Sequence, residues 1–373
     1  MAAAAASRRR LHWRPNMASP ARSGAFLIWQ AASDAAALLS ELAAAPTDDP
    51  ARLCGSESAW RRRARFVPRL VPATPPPPLD PTARRVVAAD ATYVITGGLG
   101  GLGLQWVPFL ASEQWGSARR LVLASRGAPS EEVGRTLARL TAETGVELMC
   151  ARADVSKEAD AHQLLASSGI ADLPLRGVFH LAGVAGEGFI SGLSWDAFVA
   201  ASAAKIRGSA YLHQFSLGQR VGSDGGSDGG SGGGLFGGLF GGSPKKGAGA
   251  VKSAGAVKSA GAVRSAAGAP LALDHFVLFS SIYGLLGNPQ LSHYAAANAY
   301  QDGLAHSRQI DGLPGLAVSW GTWAGAGMAH RFGAGFEAYW RSQGMGFIDL
   351  AEGLTTLGQL MAIPGGGGGG GGG

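Results

Sequence analysis

"TYVITGGLGGLGL", residues 92–104, decides how the rest of the chain is read. A short apolar run, Thr92–Thr96, has strand character and leads straight into a glycine-rich turn. "LQWVPFLASEQ" follows with helical character. Strand, glycine turn and helix open a dinucleotide-binding βαβ unit. The turn Thr96-Gly97-Gly98-Leu99-Gly100-Gly101-Leu102-Gly103 fits a TGxxxGxG pattern through Thr96, Gly97, Gly101 and Gly103. Backbone must approach a pyrophosphate closely and helix amides must point at it, so side chains have to be absent. Glycine is abundant in this chain, with 59 copies, so the motif takes its force from its place between a strand and a helix.

The alternation continues downstream. "RRLVLAS" (119–125), "ELMCARADV" (147–155), "RGVFHLAG" (176–183), "HFVLFSS" (275–281) and "GLAVSW" (315–320) read as further strands. Helices are expected from about Ser130 to Thr144, around Trp195–Leu217, and around Tyr294. This rhythm predicts an α/β fold: a Rossmann-like, doubly wound parallel sheet with helices on both faces. Such open sheets bind ligands at the C-terminal ends of their strands.

The second strand ends in Ser125 and Arg126, with no acid. An Asp or Glu there would bind a ribose hydroxyl, whereas an arginine suits the 2′-phosphate of NADP. NADPH is the expected cofactor; a solvated surface arginine is the plain alternative. Asp154 and Val155 close the third strand, where a carboxylate could reach the adenine amine. Ala182 and Gly183 leave a small-residue gap after the fourth strand.

Ser281 ends the fifth strand, and "SHYAAANAY" (292–300) follows. Tyr294 and Asn298 stand one helical turn apart on one face. Reducing a ketone needs a hydride donor, a hydrogen-bond donor to the carbonyl oxygen, and a proton for the alkoxide. Ser281 can supply the second and Tyr294 the third. A nearby cation would lower the tyrosine's pKa, and Asn298 carries no charge. Lys205, in the small and apolar segment "ASAAKIRGSAYLHQF", is one candidate and Arg207 competes with it.

The flanks differ in composition. Residues 1–32 read as a disordered or targeting-like N-terminus, rich in arginine and free of acids, and residues 72–90 as a proline-rich linker. Residues 218–270 are a low-complexity insertion with the repeats "GAVKSA", "GAVKSA" and "GAVRSA", and residues 363–373 are a polyglycine tail. The formal net charge of +6 concentrates in the N-terminus and the insertion, so a basic nucleic-acid surface is not expected. Cys54 and Cys150 are too few for a disulfide framework and form no metal-ligand pattern. No membrane span is expected. The expected location is cytoplasmic, or an organelle if the N-terminus is a transit peptide.

The stretches "TYVITGGLGGLGL", "RLVLASRG", "ADVS", "RGVFHLAGV", "AAKIRGSAYLH", "HFVLFSSIYGLLGNPQLSHYAAANAYQDGLA" and "GLAVSWGTWAGAGMA" appear in order. Together they resemble the ketoreductase domain of modular polyketide synthases and related fatty acid synthases, in the short-chain dehydrogenase/reductase superfamily. In the wider superfamily the lysine follows the tyrosine by about four positions. In these ketoreductases lysine and asparagine have exchanged sequence places. The resemblance therefore assigns the lysine to Lys205, with Ser281, Tyr294 and Asn298 completing the set, and makes 91–362 the catalytic domain. It makes 33–71 a remnant of the family's structural subdomain, so that the catalytic fold is preceded by a truncated one. It implies a β-ketoacyl thioester on the phosphopantetheine arm of an acyl carrier protein, with other synthase domains as partners. Two stereochemical fingerprints of the family are absent: Ala185-Gly186-Glu187 replaces Leu-Asp-Asp, and Leu286 stands where a tryptophan would precede the tyrosine. A free-standing reductase of small ketones and a non-catalytic piece of a megasynthase are the alternatives.

Overall fold

In the computed structural model, residues 59–61, 64–66, 86–168, 173–186, 188–218, 269–287, 290–325, 335, 338, 341–342 and 346–363 are described. The readings placed on 1–32, on 72–85 of the proline-rich linker, on 219–268 of the insertion and on 364–373 of the polyglycine tail lie outside them. Residues 1–73 form a unit of their own. Within it, β1 (Ala59–Arg61) pairs antiparallel with β2 (Ala64–Phe66), Ala59 facing Phe66. Both short strands fall in the stretch 33–71 that the family resemblance assigns to a structural subdomain.

The second unit is built on six parallel strands: β3 (Thr92–Thr96), β4 (Arg120–Ser125), β5 (Glu147–Arg152), β6 (Leu175–His180), β7 (His275–Ser281) and β8 (Leu316–Trp320). Their order is β5-β4-β3-β6-β7-β8. Every residue of β3 and β7 is buried, as continuous apolar runs in a sheet covered on both faces must be. Strand β5 lies at an edge, where Leu148 and Ala151 are half-buried and its other four residues are exposed. Two apolar layers flank the sheet. One gathers Tyr93, Ile95, Trp106, Leu121, Leu123, Phe279 and Trp320; the other gathers Val94, Val122, Val178, Phe276, Leu278 and Leu212.

The helices start and stop where local chemistry dictates. Helix α1 (Gly101–Ala111) begins inside the glycine motif, so that Gly101, Leu102 and Gly103 form its first turn. Helix α2 (Glu131–Thr144) is capped by the Ser130 side chain, which accepts from the Val133 amide, and ends at Gly145 in the left-handed conformation. Helix α3 (Glu158–Ser168) lies between β5 and β6, where sequence reasoning placed no element. The long helix expected over Trp195–Leu217 is α4 (Trp195–Ala203), a π-turn (Ala204–Gly208) and α5 (Ser209–Ser216) in unbroken succession. Helix α6 (Tyr283–Leu286) is one turn, and α7 (Ser292–Ile310) is the tyrosine helix. Helix α8 (Leu350–Ala362) follows β8, its start capped by Asp349.

The sheet order reverses at β3, whose neighbours are β4 on one side and β6 on the other. A crevice opens at such a switch point, at the C-terminal strand ends. The insertion leaves and re-enters far from there. The Leu271 amide donates to the Ser216 carbonyl at 2.8 Å, so its two ends meet. No helix among the described residues is long and apolar enough to cross a membrane. Among them, too, no group of His, Cys, Asp and Glu is arranged to hold a metal ion.

Candidate active site

The glycine turn sits at the C-terminal end of β3. Gly97 has φ +72°, and a Cβ on it would lie 3.0 Å from the Ala182 nitrogen, so the turn and the Ala182–Gly183 segment abut. A Cβ on Gly103 would lie 2.5 Å from the Gly97 oxygen, so α1 packs directly on the turn. Gly101 differs: a Cβ there would meet nothing within 4 Å. The first amides of α1 have no intrahelical partner, and Gly100 offers no side chain to cap them. A bare, open helix N-terminus beside an open glycine is a cradle that fits a pyrophosphate. The residues present therefore fit a dinucleotide.

Arg126 is exposed just past the end of β4. Arg152, paired in register with Ser125 on β5, donates its Nε hydrogen to the Arg126 carbonyl at 3.3 Å. The Arg152 guanidinium therefore lies against the backbone of Arg126, a second arginine at the ends of β4 and β5 that sequence reasoning did not name. Asp154 and Val155 fall in the turn after β5 rather than at its end. Asp154 Oδ1 accepts from the Ser156 amide and hydroxyl, at 3.1 and 2.7 Å, which ties that oxygen to its own turn. Val155 is buried and packs against Gly208.

Ser281, Tyr294, Asn298 and Lys205 are all buried, at 7%, 7%, 0% and 3% exposure. Ser281 closes β7, and its oxygen accepts from the Tyr283 amide at 3.3 Å. Burial pushes the Tyr294 hydroxyl up, while the Asn298 and Ser281 side chains pull it back and Tyr283 adds a smaller upward push. Asn298 donates from Nδ2 to the Tyr294 carbonyl at 2.7 Å, and its buried Oδ1 has no partner among the described residues.

Lys205 lies in the π-turn, and its Nζ stands 5.6 Å from the centre of the Tyr294 ring. It donates to the Phe279 carbonyl at 2.5 Å and to Gln301 Oε1 at 3.0 Å. Burial pushes its ammonium down to about 7, against an upward pull from Asp302. Gly183 turns out to serve this lysine: a Cβ there would sit 2.9 Å from Lys205 Cε. Arg207, the competing cation, is only half-buried.

His180 was not anticipated. It pairs with Thr96 across β6 and β3, and its Nδ1 lies 2.6 Å from Thr96 Oγ1. Its Nε2 lies 3.0 Å from the Ala204 carbonyl. A carbonyl only accepts, so Nε2 carries the proton and Nδ1 accepts from Thr96. The ring thus ties the glycine turn to the π-turn that carries Lys205. Burial, with Lys205 adding to it, holds His180 down to about 3, so it is neutral.

The KR-domain family description matches residues 91–222 and 246–325. Among curated proteins, phthioceranic/hydroxyphthioceranic acid synthase of Mycobacterium tuberculosis is 30% identical over 249 residues, 67% of this chain and 9% of that one. A mycocerosic acid synthase-like polyketide synthase from the same organism is 29% identical over 255 residues, 68% of this chain and 9% of that one. Among solved structures, A-type ketoreductases from a modular polyketide synthase superpose with a TM-score of 0.60 at 28% identity, covering 82% of this chain and 52% of theirs. An A1-type ketoreductase gives a TM-score of 0.56 at 28% identity over 80% of this chain and 50% of its own. This chain spans about a tenth of those synthases and about half of those ketoreductase chains. With the family pattern running from β3 to just past β8 on a sheet of the same architecture, the chain belongs to the ketoreductase domains of polyketide synthases, oxidoreductases of the short-chain dehydrogenase/reductase type.

Proposed function

We propose that this chain reduces a β-ketoacyl thioester, carried by an acyl carrier protein, to the β-hydroxyacyl thioester with NADPH. The observation that carries this reading is the convergence of Ser281, Tyr294 and Lys205 in one buried cluster, on separate elements at the C-terminal edge of β6 and β7. NADPH would be held by the Thr96–Gly103 turn and by Arg126, and when bound it supplies the hydride. Ser281, oriented by the Tyr283 amide, donates to the substrate's carbonyl oxygen. Tyr294 gives its proton to that oxygen as charge builds there. The Lys205 ammonium beside the phenol ring lowers the cost of the phenolate left behind. Asn298 holds the first turn of α7 through the Tyr294 carbonyl.

An apolar substrate arm suits the rim. Phe189 and Ile190 are exposed on the loop that joins the segment before α7 through the Gly188 amide and the Gln290 carbonyl, 3.0 Å apart. The test is NADPH consumption with a β-ketoacyl thioester, on carrier protein or on N-acetylcysteamine, against simple ketones, with chiral analysis of the product. Preference for the thioester supports the reading. Equal or better turnover of simple ketones replaces it with a free-standing reductase.

A further inference from the structure

Tyr294 and Asn298 are followed on the same face of α7 by Gln301, which is fully buried. Its Oε1 accepts from Lys205 Nζ at 3.0 Å, and its Nε2 donates to Ser209 Oγ at 3.0 Å. This orientation is forced: an ammonium only donates, so the amide oxygen must face it and the amide nitrogen must find an acceptor. Ser209 is fully buried at the start of α5, directly after the π-turn that carries Lys205. The amide therefore bridges α7 to the lysine and to the helix that delivers the lysine.

We propose that Gln301 is a positioning residue for Lys205. Two of the three ammonium hydrogens are spoken for by neutral acceptors, the Phe279 carbonyl and Gln301. The third is left for the reaction centre beside the Tyr294 ring. A neutral acceptor holds the ammonium in a dry site without adding a negative charge. The titratable groups around it are neutral His180 at the end of β6, and Tyr294 and Asp302 on α7; β7 meets the ammonium through the Phe279 carbonyl, and α5 meets the amide through the Ser209 hydroxyl. The amide therefore sets where the lysine loses its proton, and with it the pH at which the tyrosine loses its helper. The proposal rests on the role given to Lys205 above.

The test titrates Lys205 by NMR in the full chain, its signal identified by its loss in Lys205→Met, and follows kcat against pH in parallel. Gln301→Leu should lower the Lys205 midpoint, and the isosteric Gln301→Glu should raise it, each by about one to two pH units. The alkaline fall in kcat should move the same way, with the loss falling on kcat rather than KM. Midpoints that stay at the wild-type value in both variants would overturn the proposal, as would shifts of one sign. If Gln301→Leu does not fold, the Glu variant alone decides through the sign of its shift. The NMR midpoint needs no turnover, so it judges the Gln301 contact even if Lys205→Met keeps full activity and the catalytic role of the lysine fails.

Discussion

Gly101→Ala separates cofactor binding from folding, because the structure assigns opposite surroundings to two glycines of one motif. At Gly103 an added methyl would enter the backbone of Gly97 and Gly98, at 2.5 and 2.7 Å. Overpacking of that kind costs about 1–3 kcal/mol or more, so Gly103→Ala should lose stability and NADPH together. At Gly101 the methyl meets nothing within 4 Å. Alanine in a helix is favoured over glycine by about 0.5–1 kcal/mol. Its melting temperature should therefore hold or rise by about 2–3 °C. The same methyl would stand in the cradle at the N-terminus of α1. Losing one hydrogen bond to a charged phosphate costs about 1.5–3 kcal/mol, which is about 10–100-fold in affinity. The assay is thermal melting together with NADPH titration by the fluorescence of the bound reduced nicotinamide. A Gly101→Ala protein that melts like wild type and binds NADPH as well as wild type would refute this placement of the pyrophosphate.

Three further outcomes are expected. Arg126→Ala should weaken NADPH by about 10-fold or more while leaving NADH nearly unchanged; equal losses in a competition titration would remove the phosphate contact. His180 is neutral in the fold down to about 3 but protonates near 6.5 when unfolded, so the unfolded state binds more protons between those values. Stability should fall as pH drops through that window, at about 1.4 kcal/mol per unit, and His180→Gln should flatten this acid limb in denaturant titrations; an unchanged slope contradicts the assignment. Replacing residues 219–268 with a short Gly-Ser bridge should preserve melting temperature and NADPH binding, because Ser216 and Leu271 already meet at 2.8 Å; loss of either would make the insertion part of the fold.

The strands were legible because each central one is a continuous apolar run, and β3, β4 and β7 fall where sequence placed them. Helix α8 escaped detection for a physical reason. Gly353 and Gly358 interrupt its pattern, yet a Cβ at either would strike Trp323 or Trp115, so the glycines make room for the tryptophans. Helix α3, "EADAHQLLASS", is short and carries little apolar contrast between its faces. In the site, the glycine turn and the Ser281–Tyr294–Asn298 series could be read from local spacing. Lys205 could not, since the chain between it and β7 hides the proximity, and only the family resemblance assigned it. Gln301 was within reach, three positions after Asn298 on the same face. His180 was not, because its role depends on a strand pairing and on a π-turn that no sequence pattern announces.

The claim that Tyr294 delivers the proton is tested most directly by Tyr294→Phe, measured for both NADPH binding and NADPH-dependent reduction of a β-ketoacyl thioester. Removing one hydroxyl from a buried helix face should leave the fold and NADPH affinity in place. Turnover should drop by about 100-fold or more, the scale of a positioned general acid. Near-wild-type turnover in Tyr294→Phe would contradict the account.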